Sequence, residues 1–263
     1  MQQKDIVSKL PQITISFWIM KICATTLGET AGDLLAQTMK IGYAISSLIL
    51  FGFFFCMLIF QLSAKKYRPL LYWMVILATS TAGTTMSDFI DRTLKLGYAM
   101  GSLILVSLLI AILVLWRTTE KSLSVTDIKS RRGEVFYWMA ILFSNTLGTA
   151  LGDFLADNSG LGFSGGALLI GSLLALIVLA FYYTKVSHIL LFWLAFILTR
   201  PFGATFGDLL TKPIAKGGLD FGTAGSSAIL FGILLLLVAN EFFQQKRITN
   251  INDFQFSVTK KKF

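Results

Sequence analysis

Long apolar runs alternate with short polar stretches along the whole chain. Eight runs can be cut out, at 15–36, 42–62, 70–91, 96–116, 135–156, 163–183, 190–211 and 222–243. A helix needs about 20 apolar residues to cross a hydrocarbon core about 30 Å thick. The runs are continuously apolar rather than alternating, so the pattern predicts helices and not barrel strands. The expected fold is all-α: a polytopic membrane protein with eight transmembrane helices.

The polar interruptions inside these runs repeat. Gly28-Glu29-Thr30-Ala31-Gly32-Asp33, Gly83-Thr84-Thr85-Met86-Ser87-Asp88, Gly148-Thr149-Ala150-Leu151-Gly152-Asp153 and Gly203-Ala204-Thr205-Phe206-Gly207-Asp208 are four copies of one pattern. In each copy a Trp lies 15 residues before the Asp: Trp18, Trp73, Trp138 and Trp193. That separation is roughly 22 Å of helix at about 1.5 Å per residue. If the Trp marks the cytoplasmic interface, each Asp falls in the outer part of the membrane. The second run of each pair also repeats, opening at Gly42-Tyr43-Ala44, Gly97-Tyr98-Ala99, Gly162-Phe163-Ser164 and Gly222-Thr223-Ala224.

Successive motif aspartates are 55, 65 and 55 residues apart, which predicts a helical hairpin doubled twice. The repeats are 15–62, 70–116, 135–183 and 190–243 of one membrane domain, 1–263, with 117–134 as a cytoplasmic linker. Two spans per repeat make all copies point the same way. The expected arrangement is therefore parallel, a pseudo-twofold of two four-helix halves. Four tandem two-span repeats with a characteristic Trp resemble a bacterial integral membrane family known as a repeat of unknown function. The resemblance covers nearly the whole chain and implies no reaction or substrate.

Composition agrees with the span reading: 55% of the 263 residues are hydrophobic and the mean hydropathy is +0.72. The net charge of +9 raises nucleic acid as a partner, but its placement argues otherwise. Sixteen of the 23 Lys and Arg lie in the N-terminus, the loops after even-numbered runs and the C-terminus. They include Lys65, Lys66, Arg68, Arg117, Lys121, Lys129, Arg131, Arg132, Lys246, Arg247 and Lys260 to Lys262. Lys40, Arg92, Lys95, Lys212 and Lys216 lie in the opposite loops. This asymmetry predicts a multi-pass protein of the bacterial inner membrane with both termini cytoplasmic. Lys21, Glu29 and Asp33 interrupt the first run, so no cleavable signal is expected there. Cys23 and Cys56 fall inside runs, and His188 is the only histidine, so neither a disulfide framework nor a His-based metal site is expected.

The candidate chemistry is a ring of carboxylates. Asp33, Asp88, Asp153 and Asp208, with Glu29 one turn before Asp33, are expected to bind an ion or substrate if their helices converge. The four aspartates are candidate metal ligands, because carboxylate and hydroxyl oxygens suit hard cations. Thr26, Thr81, Thr146 and Asn145 are candidate supporting groups. Eight residues before each Asp stand Thr25, Ser80, Asn145 and Arg200; four before stand Glu29, Thr84, Thr149 and Ala204. Lys21 and Arg200 are expected either as counterions to the acids or as tethered cations that a substrate replaces. Asp91 and Arg92 read as a solvated ion pair at the outer mouth, and Asp157 and Asp220 as solvated. Pro201 predicts a kink or break in the seventh run.

The plainer reading competes throughout. Gly-x-x-x-Gly is a helix-packing pattern, and each Asp can cap a helix end at the hairpin turn. No Ser-His-Asp set, metalloprotease motif or phosphate loop occurs, so neither an enzyme nor a cofactor is expected. The function expected is membrane transport of a small solute, foremost a hard divalent cation, with proton coupling through the carboxylates. The alternatives are an anion or zwitterion transporter using Lys21 and Arg200, and a structural or sensory membrane protein. The expected partners are the lipid bilayer and a small ion or molecule, not nucleic acid.

Overall fold

The computed structural model describes residues 10–128 and 130–260, with side chains as far as Arg247. Lys129, Lys261 and Lys262, together with 1–9, contribute to the basic asymmetry and lie outside the described residues. Every expected run is a helix. The eight are α1 (Ile15–Asp33), α2 (Tyr43–Ser63), α3 (Pro69–Asp88), α4 (Gly97–Glu120), α5 (Arg131–Asp153), α6 (Gly162–Tyr183), α7 (His188–Thr211) and α8 (Thr223–Lys260).

Local chemistry sets the ends. Thr14 Oγ1 accepts from the Phe17 amide at the start of α1, and Ser130 Oγ does the same for Gly133 at the start of α5. Pro69 opens α3, where its missing N–H costs nothing. Beyond Asp33, Asp88 and Asp153 the helices continue as single π-helical turns, Leu34–Thr38, Phe89–Thr93 and Phe154–Asn158. The chain then reverses through Gly42, Gly97 and Gly162, at φ 84°, 72° and 66°, and through Gly222 at 73° after α7. Glycine takes this left-handed region freely, which accounts for the Gly that opens each second run. The fourth copy has no π turn; its longer loop carries a 3-10 turn at Ile214–Lys216. α7 runs unbroken through Pro201, so of the expected kink or break the break does not occur.

The odd-numbered helices form a closed ring: α1 packs on α3, α3 on α5, α5 on α7, and α7 on α1. The even-numbered helices lie outside it, each shifted one place. α2 packs chiefly on α3, α4 on α5, α6 on α7, and α8 on α1. Each hairpin thus leans on the next repeat, and the last closes on the first.

The motif glycines set how closely the ring helices approach. Gly28 faces Ser80, Gly83 faces Asn145, Gly148 faces Arg200 and Pro201, and Gly203 faces Thr25. In every case the glycine receives the residue eight before the Asp of the next repeat. One turn later Gly32 faces Thr84, Gly152 faces Ala204 and Gly207 faces Glu29. The packing reading of the small residues therefore holds.

The N-terminal ends of the ring helices meet in an aromatic layer. Phe17 lies 5.6 Å from Trp73, Tyr72 5.5 Å from Trp138, and Trp18 5.7 Å from Phe192, between ring centroids. The Tyr72 and Tyr137 hydroxyls are 2.6 Å apart. Trp73, Trp138 and Trp193 are buried and only Trp18 is partly exposed. The Trp thus packs between repeats, where the neighbouring helix covers it in three of the four copies. Its indole is used where a partner is in reach: Trp73 donates to Glu241 Oε2 and Trp193 to the Leu123 carbonyl.

Six helices, α2 and α4 to α8, are long and apolar enough to cross a membrane by length and composition. α1 and α3 do not meet that standard among the described residues. Their buried faces carry the polar groups: Lys21, Glu29 and Asp33 on α1, and a run of Ser and Thr from Thr79 to Ser87 on α3. The outer helices instead expose Leu48, Leu103, Leu168 and Leu236.

Candidate functional site

The ring encloses a polar axis built in layers, one helical turn apart. Nearest the aromatic end is Lys21. It is fully buried, its Nζ donates to Asn145 Oδ1 at 3.3 Å, and it lies 4.1 Å from the Phe196 ring centre. Asn145 in turn donates from Nδ2 to Thr79 Oγ1 at 2.9 Å. Among the described residues no carboxylate pairs with Lys21. Its counterion role is not what the geometry supports: the face of an aromatic ring and an amide oxygen stand where an acid was expected.

The next layers hold Arg200 and Glu29. Arg200 is fully buried, and its Nη2 donates to Glu29 Oε2 at 2.9 Å, Thr84 Oγ1 at 2.5 Å and Thr149 Oγ1 at 2.6 Å. These partners are the residues four before the Asp in repeats 1, 2 and 3. One guanidinium from repeat 4 therefore ties the other three repeats together. Here the counterion reading holds. Thr84 and Thr149 belong to this centre, although their spacing alone had given them no role.

The four motif aspartates close the stack, and all are buried. None makes a side-chain bond to the backbone amides beyond it: Asp33, Asp88 and Asp153 each precede a π turn without capping it. They are instead bridged by cations four residues further on. Arg92 pairs through Nε with Asp88 and through Nη2 with Asp153, both at 2.9 Å. Lys212 pairs with Asp33 at 2.6 Å and Asp208 at 3.1 Å. Repeats 2 and 4 each supply a base that joins their own Asp to that of the next repeat, so the site has twofold character within a fourfold ring. Gln37, the counterpart in repeat 1, donates to Asp33 Oδ1. Asp157, the counterpart in repeat 3, is exposed and accepts from Tyr98 Oη at 3.2 Å.

Arg92 and Asp91 therefore do not form the solvated pair expected of them. Arg92 turns back onto the ring, while Asp91 is buried against Gly101 and accepts from Ser87 Oγ at 3.3 Å. The signal for Arg92 and Lys212 was present in the i,i+4 spacing from Asp88 and Asp208. Thr26, Thr81 and Thr146 bond to carbonyls of their own helices: Ile22, both Leu77 and Ala78, and Leu142. Their hydroxyls contribute to the α-helical interior rather than to the axis.

Glu29, Asp33 and Asp208 each place a carboxylate oxygen within 4.8 Å of the others, and all three are buried. This acidic cluster can coordinate a cation, with Lys212 now pairing two of its members. Around the ring, five carboxylates (Glu29 and the four aspartates) face three paired bases, Arg200, Arg92 and Lys212, with Lys21 as a fourth base nearer the aromatic end. A hydrocarbon-like surrounding makes such a surplus of negative charge costly, so it calls for protons or a bound cation. Burial works against the charge on Lys212, but the Asp208 and Asp33 carboxylates outweigh it and raise the ammonium above its ordinary pKa.

No curated protein and no solved structure matches this chain. A repeat family does, four times over, at residues 16–67, 71–122, 136–187 and 191–247. Each match begins beside the aromatic layer and runs through one motif Asp; the first three end beyond the outer helix and the fourth ends within α8. The chain thus belongs to the family described as Repeat of Unknown Function (DUF347).

Proposed function

We propose that this protein carries a small hard cation, foremost a divalent one, across a membrane. The reading rests on one observation: three buried carboxylates, Glu29, Asp33 and Asp208, converge within 4.8 Å in a ring whose acids outnumber its bases. Oxygen donors without thiolate or imidazole favour Mg²⁺, Mn²⁺ or Ca²⁺ over softer ions. At the aspartate end four carboxylates face two bases, Arg92 and Lys212; a divalent ion would balance that surplus, and so would two protons. The same site thus supports cation and proton exchange, with Lys212 as the tethered cation that holds it between cycles. Six apolar helices with exposed aliphatic faces support the bilayer as its surroundings, with α1 and α3 shielded inside. Basic loops after α2 and α4 support cytoplasmic termini.

Uptake of Mn²⁺ into proteoliposomes tests this. Asp33→Asn and Asp208→Asn are expected to abolish uptake, while Asp157→Asn, at an exposed position, retains it. Wild-type uptake in both ring variants would overturn the carboxylate mechanism.

A further inference from the structure

The aromatic end of the axis has the opposite imbalance. Lys21, Ser80 and Arg200 are each fully buried. Lys21 makes one hydrogen bond, to Asn145 Oδ1, which leaves two ammonium protons. Arg200 uses only Nη2, and its Nε and Nη1 have no partner. Ser80 Oγ has none either. A buried donor without an acceptor is costly, and here such donors come from three ring helices, α1, α3 and α7. Burial is the larger cost to a charge on Lys21, and the like charge of Arg200 adds to it. Two bases thus share one acid, Glu29, which lies on the far side of Arg200 and is bonded to Nη2.

We propose that a single small monovalent anion, chloride in size and charge, binds on the ring axis between Lys21 and Arg200 with Ser80 as a neutral donor. A halide accepts hydrogen bonds from every direction and donates none, which matches the unpartnered Lys21 and Arg200 N–H groups, with the Ser80 hydroxyl able to donate as well. One negative charge cancels the excess of two bases over one acid. Phosphate or sulfate would bring two charges and several oxygens, more than these donors serve. The site adjoins the acidic cluster through the Arg200–Glu29 pair, but it uses other donors and does not depend on the cation reading. It gives the ring an ionic tie at its closed end, where α1, α3 and α7 meet.

The test uses the full chain in detergent, with the thermal unfolding midpoint followed as chloride replaces gluconate at constant sodium and ionic strength. The midpoint is expected to rise with chloride and saturate. Lys21→Met should abolish the rise, and Ser80→Ala, which removes only a hydroxyl, should raise the half-saturating chloride at least tenfold. Asp208→Asn should keep the chloride response while losing Mn²⁺ binding. Equal midpoints in the two salts would overturn the site, as would a wild-type response in Ser80→Ala and Lys21→Met. Loss of the response in Asp208→Asn would move the effect to the acidic cluster and overturn it as well.

Discussion

Arg200 gives one nitrogen to Glu29, Thr84 and Thr149, and so joins three repeats to the fourth. Removing either member of its buried ion pair leaves an uncompensated charge, which costs about 3–5 kcal/mol. Glu29→Gln and Arg200→Gln should each lower the unfolding midpoint by that scale, and the double variant should recover a large part; unfolding in detergent measures it. Full additivity of the two losses would show that they are not coupled. Lys212 predicts the reverse behaviour. Lys212→Gln frees Asp33 and Asp208 and should tighten Mn²⁺ binding by roughly tenfold, equivalent to about 1.4 kcal/mol. Titration calorimetry would detect it, and weaker binding would count against Lys212 as a competing cation. These side chains were only half legible in the sequence. The asymmetry of Lys21, Glu29 and Arg200 stood out against the repeat, because a charge at one position in four breaks a pattern. Arg92 and Lys212 did not, because a base just past a helix reads as a loop charge until its direction is known.

Each ring helix is one face of glycine set against one face of hydroxyls, amides and charges. The sequence shows the glycines but not their opposite numbers, since these lie on the next repeat some fifty residues away. Gly148 is tightly confined: a Cβ there would meet Arg200, and would come within 2.9 Å of Pro201 Cδ. Gly148→Ala should cost ~1–3 kcal/mol through overpacking. Gly52, on the outer helix α2, has open space around it. Gly52→Ala should be neutral or stabilise by up to about 1 kcal/mol through helix propensity. Thermal unfolding of the two variants in parallel would check the pair. The helices themselves were readable from hydrophobic pattern alone, because long apolar runs tolerate few alternatives. The role of Trp was not, since burial by a neighbouring repeat and burial at an interface leave the same residue in the same place.

At the scale of the whole molecule, the shift of each outer helix onto the next repeat makes the two halves interdependent. α4 packs on α5, and α8 on α1, so neither half keeps its own outer layer complete. Chains covering 1–124 and 125–263, produced together, should copurify and restore Mn²⁺ uptake; either alone should aggregate. A half that stays monodisperse alone would mean that it is self-sufficient. The closed ring was not legible in the repeat spacing, which counts copies but does not say whether the last meets the first. The same closure bears on how the chain is made. α1 emerges first and carries Lys21, Glu29 and Asp33, too polar to rest unaided in lipid, yet its partners include α7 and α8, the last to be synthesised. The nascent chain must therefore keep its first helix sheltered, by the insertion machinery or by α3, until the final hairpin arrives. Errors late in translation would strand a helix with three buried charges.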